Sequence, residues 1–373
     1  MEFIAAKKDF KSALDKAQGI PEQKNLSSVM ANVLLETVGT DAIRLTAMSY
    51  EVTLVTSFPA RVLAEGQMAL SGRSLFDAAR MLPEAPVQLR SLPNDWALIT
   101  AGRTDYKVPC ILPCNMPERP DPQATDEIEV TRDLLMEMVE RVGFAMSSDE
   151  GRLNLNGIFM RVDTDPEGCR IEMVATDGHR LSRLVRKSGT KAADRPPSVI
   201  LHRKGVNELK RFIDDADGPV SIGFQRNAVV FRVANGYLRV RQIELEYPDY
   251  GRVIPSEFRW SFSVNRLELM RAVQRAAVVI SPDKTPLVRL KLEARRLQVL
   301  AQDPDRGDAH TELDMEYDGD SLEIAYNNRY LENALNALPG EVVTLSVRDL
   351  NSATRVTVPN DPDVTQLLMP VRV

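Results

Sequence analysis

FIAAKKDFKSALDKA, residues 3–17, is a short apolar run that passes into a helix. After Phe3, apolar side chains return 7, 11 and 14 positions later as Phe10, Leu14 and Ala17. That spacing keeps one helical face apolar. Residues 128–142 (IEVTRDLLMEMVERV) and 262–276 (FSVNRLELMRAVQRA) repeat it, with Leu135, Val139 and Val142 after Ile128 and with Leu269, Val273 and Ala276 after Phe262. A second strand–helix unit begins 64 to 73 residues further on, at Leu70, Leu201 and Tyr326. Its apolar residues come 5, 8 and 12 positions later: Leu75, Ala78 and Leu82; Val206, Leu209 and Ile213; Leu331, Ala334 and Leu338. A further strand starts near Val87, Val220 and Val342. Six such units in a fixed order imply three similar domains in tandem.

The 373 residues then divide as 1–124, 125–254 and 255–373. Each domain is long enough to bury its own core. The Pro-rich stretch 109–122 (PCILPCNMPERPDP) and the stretch 247–255 (YPDYGRVIP) are the joins, and 187–197 (KSGTKAADRPP) reads as a surface loop inside the second repeat. Between the helices lie runs such as AIRLTAMS, VTLVTSF, GIFMRVD, CRIEMVATD, AVVFRVA and VTLSVRD, which are strand-like and bounded by Gly, Asp or Asn. Few have a crossover helix between them, so antiparallel sheets are expected. The fold class is α+β, each domain setting two helices against antiparallel sheets.

The 43% hydrophobic content is ordinary for a globular chain. Cys110, Cys114 and Cys169 are too few for a disulfide framework, and the Cys110–Cys114 spacing lacks a second His or Cys pair for zinc. Reduced cysteines, no metal and no cofactor are expected. The opening MEFIAAKKDF is charged from its second residue, and no stretch approaches 18 uninterrupted apolar residues. A cytoplasmic protein without a membrane span is therefore expected.

Net charge is −6, but its distribution is uneven. The helical windows 7–18, 72–82, 131–142, 202–213, 265–276 and 327–338 carry +2, +1, −1, +3, +2 and 0, which is +7 together and leaves −13 on the rest. A charge run on one helix is ordinarily a solvated face. Segregation across repeated helices instead attracts phosphate where the helices point and repels it elsewhere. If the domains close into a ring, twelve helices from two chains, packed about 10 Å apart, give a circumference of about 120 Å. Removing one helix diameter of about 10 Å leaves an opening of about 28 Å, enough for a hydrated duplex. One chain alone leaves no usable hole.

Three further segments carry a resemblance. ATDGHRLS at 175–182, YPDYGRVIP at 247–255 and MPVRV at 369–373 resemble the bacterial DNA polymerase III beta subunit family, the sliding clamps, in register over the whole length. The resemblance implies a head-to-tail homodimeric ring around double-stranded DNA. Such a ring confers processivity in replication, has no catalytic site of its own and works at the nucleoid. The implied partners are the polymerase III alpha subunit, the clamp loader, and other polymerases and repair proteins, reached through short linear motifs.

By similarity, the motif pocket maps onto Leu155, Thr176, Gly178, His179, Arg180, Leu181, Pro248, Arg252, Val253, Asn327, Tyr330, Leu367, Leu368, Met369, Pro370, Val371 and Arg372. Leu155, Leu181, Val253, Leu368, Met369 and Pro370 would form apolar recesses for a partner's anchors, with Met adapting to varied shapes. DNA contacts carried over are Lys24, Arg73, Arg203 and Lys204. The subunit contact would set Arg103, Tyr106 and Val108 against Val279 and Ile280, with Asp303, Asp305 and Asp308 nearby. Two departures stand out. Thr285-Pro286 occupies a loop where relatives often carry a basic residue, and Val373 stands where others commonly end in Leu.

A hydrolase built from Asp177, His179 and Asp249, with His179 as general base, is the alternative. The chain holds only three histidines and no G-x-S-x-G, P-loop, H-E-x-x-H or dinucleotide fingerprint, which counts against it.

Overall fold

The computed structural model describes residues 1–21, 29–124, 126–165, 168–188, 198–281 and 286–372. Lys24, Thr285, Val373 and most of the 187–197 loop lie outside the described residues. The first repeat runs β1 (Glu2–Ala5), α1 (Lys7–Ala17), β2 (Asn32–Val38), β3 (Ala42–Met48), β4 (Val52–Pro59), β5 (Arg61–Ala64), β6 (Gln67–Ser71), α2 (Gly72–Met81), β7 (Val87–Leu92), β8 (Trp96–Ala101) and β9 (Thr104–Ile111). The second has β10 (Asp126–Thr131), α3 (Arg132–Gly143), β11 (Gly157–Asp165), β12 (Gly168–Thr176), β13 (Arg180–Ser188), β14 (Ser198–His202), α4 (Arg203–Ile213), β15 (Pro219–Phe224), β16 (Ala228–Val233) and β17 (Gly236–Arg241). The third has β18 (Trp260–Asn265), α5 (Arg266–Ala277), β19 (Leu287–Glu293), β20 (Arg296–Asp303), β21 (Gly307–Asp314), β22 (Leu322–Asn327), α6 (Asn328–Ala337), β23 (Val342–Val347), β24 (Thr354–Val358) and β25 (Asp361–Leu368).

Each helix springs directly from a strand, and in five of the six the last strand residue is the cap. Ser71, Thr131, His202, Asn265 and Asn327 accept a hydrogen bond from a backbone N–H two or three residues on, which satisfies a donor the first turn would leave orphaned. Ala6 before α1 makes no side-chain cap. Every apolar helix position expected from the repeat is buried. At the start of β23 the buried residue is Val343, whereas Val342 is exposed.

All strand pairs are antiparallel, and each repeat supplies two groups, as in β10-β15-β16-β17 and β14-β11-β12-β13. The groups do not stop at the repeat. β17 pairs with β4 of the first repeat, and β25 pairs with β13 of the second, giving sheets of thirteen and eight strands, while four strands remain as β21-β20-β19-β22. Both joins have one register. Counting along the ladders from Ser71, His202 and Asn327 makes Leu54, Ser182 and Ala309 equivalent. The same count through β1, β10 and β18 makes Tyr106, Leu238 and Gln366 equivalent. Leu54 faces Leu238 at one join, and Ser182 faces Gln366 at the other.

The helices pack in a single row, α2-α1-α4-α3-α6-α5, in which the first helix of one repeat meets the second helix of the next. One apolar core runs behind this row through all three repeats.

Candidate functional site

At the join of the second and third repeats the sheet is covered on both faces. Leu184, Val364 and Leu368 belong to the main core. On the opposite face Val174, Leu181, Ala353 and Leu367 form a second apolar cluster under Phe159, Tyr247, Tyr250 and Ile254. The 247–255 segment is held there by aromatic contacts. Tyr247 stacks on Phe159 at 5.0 Å between ring centres, and Tyr250 lies 6.3 Å from Tyr247. Beneath them Glu172, 3% exposed, pairs with Arg183 at 2.5 Å and with Arg161 at 2.8 Å. Burial, with a hydrogen bond from Tyr250 to Glu172, pushes the Tyr250 phenol up to about 12. A buried carboxylate compensated by two guanidinium groups makes a firm post for an otherwise irregular segment.

Above this floor a cleft encloses about 200 Å³, lined by Leu155, Thr176, Gly178, His179, Arg180, Leu181, Pro248, Asp249, Tyr250, Val253, Ala353, Leu367 and Met369. The 177–180 turn forms one wall. Asp177 accepts from the N–H groups of His179 at 3.0 Å and Arg180 at 3.1 Å, and from Arg180 Nε at 2.9 Å. Gly178 takes φ +89°, a conformation that side chains with a Cβ rarely adopt. The tail forms the opposite wall: Met369 N–H donates to the His179 carbonyl at 2.8 Å, and Val371 N–H to the Ala325 carbonyl at 2.8 Å. A wetter cleft of about 500 Å³ adjoins, sharing His179 and Arg180 and reaching Arg152, Arg203 and Tyr330. Between the two, the Arg180 guanidinium lies 4.6 Å from the Tyr330 ring and 5.2 Å from the Phe144 ring, and His179 stacks on Tyr330 at 6.1 Å.

Ten of the residues expected at a pocket therefore line one cleft: Leu155, Thr176, Gly178, His179, Arg180, Leu181, Pro248, Val253, Leu367 and Met369. Tyr330 lines the neighbouring one. Arg252 is exposed beside the cleft and paired with Asp249 at 2.8 Å. Asn327 is engaged as the α6 cap. Leu368 is corrected: alternation along β25 turns it to the main core, away from the cleft. Pro370 is half-buried without lining the cleft, and Val371 and Arg372 line a separate depression with Leu350 and Asn351. Tyr250, Ala353 and Phe144 were missed: Tyr250 lies inside the 247–255 segment but was not carried over, and a small residue in a polar loop and a helix-end aromatic carry no sequence signal of a site.

The two carboxylates of the hydrolase alternative are committed locally, Asp177 as above and Asp249 to Gly251 N–H and Arg252 Nε. Among the described residues no group of three or more His, Cys, Asp or Glu could hold a metal ion. No described helix is long and apolar enough to cross a membrane.

On the helix row, Arg73 is 70% exposed and Arg203 is exposed. Lys204 is less free than expected, because its ammonium donates to the Ile20 carbonyl at 3.2 Å and lies 3.7 Å from Glu51, tying repeat two to repeat one. At the outer edges Tyr106, Val108, Val279 and Ile280 are half-buried at the margin of the core. Asp303, expected near this contact, is 3% exposed and accepts from Ser281 N–H at 3.2 Å and from Asp305 N–H at 2.9 Å, so it ties the β20–β21 turn to the segment after α5.

Three repeats of one topology, a shared helix row and an apolar cleft at one join define a clamp-type protein. Comparison with known proteins agrees. Family models of the DNA polymerase III beta subunit match throughout, the N-terminal domain at residues 1–118, the central domain at 129–249 and the C-terminal domain at 251–372. The beta sliding clamp of Caulobacter vibrioides is 30% identical over 97% of both chains, and that of Pseudomonas putida 28% over all of both. The sliding clamp of Bartonella birtlesii, solved bound to griselimycin, superposes with a TM-score of 0.93 at 27% identity over all of both chains. That of Caulobacter crescentus, solved with polyethylene glycol at a putative beta-motif tethering region, gives 0.92 at 28%, over all of this chain and 99% of that one. The chain belongs to the DNA polymerase III beta subunit family. It is a DNA sliding clamp, a processivity factor of replication rather than a catalyst.

Proposed function

We propose that two copies, each of three domains at 1–124, 125–254 and 255–373, close head to tail into a ring around duplex DNA. The single observation that carries this reading is the repeated join. Both joins inside the chain set the last strand of one repeat against the β4-type strand of the repeat before it, in one register. The strands of those two types left over are residues 104–108 of β9, which pair only with β8, and β21, a sheet edge. A second copy satisfies both. The helix row continues by the same rule, α5 against the partner's α2, which makes twelve helices around the opening. Arg73, Arg203 and the exposed Arg271 and Arg275 supply sequence-independent phosphate attraction.

The cleft between repeats two and three takes short linear motifs of polymerases and other DNA-processing proteins. Its apolar floor suits leucine or aromatic anchors, Met369 adapts to their shape, and His179, Arg180 and Arg252 orient the motif's polar groups. Native mass measurement with retention on circular and linear DNA tests the ring. A dimer held on closed circles and lost when they are cut is expected, whereas a monomer at micromolar concentration overturns the ring.

A further inference from the structure

The turn that walls the cleft has a counterpart at the other join. Counting from Leu54 and Ser182 makes Ser49, Tyr50, Glu51 and Val52 equivalent to Asp177, Gly178, His179 and Arg180, in hairpins of equal length. The Ser49 hydroxyl accepts from the N–H groups of Glu51 at 3.4 Å and Val52 at 3.2 Å, as Asp177 does from those of His179 and Arg180. Arg241 N–H donates to the Glu51 carbonyl at 2.8 Å, as Met369 N–H does to that of His179. The first join therefore carries the backbone of the cleft wall with other side chains on it. Thr53 stands for Leu181, Arg239 for Leu367 and Arg241 for Met369, and Tyr50, 76% exposed, takes the place of Gly178.

What stands on that frame is positive charge without its usual compensation. Arg239 is half-buried and donates to two neutral oxygens, Gln225 Oε1 at 2.8 Å and Asn227 Oδ1 at 3.0 Å. Among the described residues no carboxylate pairs with Arg239, with the exposed Arg241 or with Arg44. Burial, and after it the neighbouring Arg241 charge, lower the Arg239 guanidinium from its ordinary value. Further along the same face the charges of Arg119, Arg44 and Arg239 act on Tyr237, with Asp121 as the acid among them. Arg119 is the compensated one, paired with Glu36 at 3.0 Å. A half-buried guanidinium without a counter-charge costs free energy that an incoming carboxylate recovers.

We propose that this face of the first join is a second docking site, one that takes an extended acidic segment of a partner protein. Arg239 and Arg241 project from one face of β17 two residues apart, about 6.7 Å along the strand, which is also the spacing of alternate side chains in an extended peptide. Asp or Glu at two alternate positions therefore meets one guanidinium each, in the fork geometry that favours a carboxylate. Tyr50 offers its ring to an aromatic or apolar residue at one end of the segment. A protein segment suits the face better than nucleic acid does. The chain outside the six helical windows sums to −13, which repels a long polyanion beyond this short strip. The site is separate from the cleft between repeats two and three and does not depend on ring closure.

Fluorescence anisotropy of a short labelled peptide, with Asp at alternate positions and one Trp, tests this on the full chain. Binding is expected at low ionic strength, and none by the same peptide with Lys in place of Asp. Arg241→Glu should weaken binding about tenfold, a difference that narrows as added salt screens it. Tyr50→Ala should weaken it about threefold. Both side chains are exposed, and melting temperature checks that each variant folds. Removing residues 369–373 should leave the affinity as it was. An Asp peptide that does not bind, or that binds either variant as it binds the parent, overturns the site. Loss of binding on removal of 369–373 places the peptide in the cleft and overturns it equally. A short single-stranded DNA that displaces the peptide and is itself weakened by Arg241→Glu overturns the choice of partner.

Discussion

The two joins inside the chain have the same strands in the same register and opposite chemistry. At the first, between β4 and β17, the outer-face neighbours are Thr53 and Arg239, and the helices behind are stitched by polar contacts. Lys16, 7% exposed, pairs with Asp215 at 2.6 Å, and Lys204 donates to the Ile20 carbonyl. At the second, between β13 and β25, the same places hold Leu181 and Leu367, and an irregular segment with two tyrosines arches over them to leave an open apolar cleft. Backbone pairing makes both joints, and at the second the outer-face leucines form the floor of an apolar cleft that the first lacks.

The largest expected effect breaks the first joint and spares the second. Gly236 lies so close to the first repeat that a Cβ would stand 2.1 Å from the Val55 carbonyl oxygen and 2.8 Å from Thr56 Cα. Gly236→Val has no flexible neighbour to displace and should cost about 3 kcal/mol or more. Hydrogen exchange should show 52–56 deprotected while a polymerase-derived peptide still binds the cleft. Unchanged protection there would mean that the joint does not depend on this close approach.

The converse experiment opens the second joint's docking surface without unfastening it. Removing residues 369–373 deletes Met369 and the Val371 N–H bond to Ala325 but leaves the β13–β25 ladder complete. Peptide affinity should fall by about 2 kcal/mol or more, roughly thirtyfold, with the dimer unchanged. Calorimetric titration beside sedimentation decides it. Undiminished affinity would place the binding surface elsewhere.

A smaller effect tests the polar stitch. Burial alone would raise the Asp215 carboxyl, but hydrogen bonds from Lys16 and Ser12 outweigh it and hold the group below its ordinary value. A carboxyl depressed by folding stabilises the protein above its unfolded value near 4, and that stability is lost as pH falls through the lower, folded value. Asp215→Asn should therefore cost about 1 kcal/mol at neutral pH, since Asp215 is half-exposed and solvent screens the pair. The difference between variant and parent should shrink on acidification below about pH 4. A difference constant in pH would show that the amide keeps the contacts that matter.

Much of this comparison was legible in the sequence before any coordinate. The helix period gave six helices within a residue or two of their observed bounds, because an apolar stripe has a single way to meet a sheet. The resemblance gave ten residues of the cleft. Leu368 was assigned to the wrong face because β25 is buried on both sides there, and a run of consecutive buried residues does not reveal which neighbour each one meets. Lys204 was carried over as a DNA contact and Asp303 was placed near the subunit contact by resemblance, which does not reveal the partner that a distant segment supplies to each.

Periodicity and turn residues are local, so the sequence by itself determined three α+β repeats and their helices. Sheet continuation across repeats, the shared register of the joins and the identity of the free edges depend on backbone hydrogen bonds between residues nearly two hundred positions apart, such as Leu54 with Leu238 and Ser182 with Gln366. Backbone N–H and C=O groups are the same in every residue, so no side-chain pattern announces which strand a given edge will meet. Only the folded chain decided that one joint would be stitched, one would open into a cleft and one would be left for a second copy.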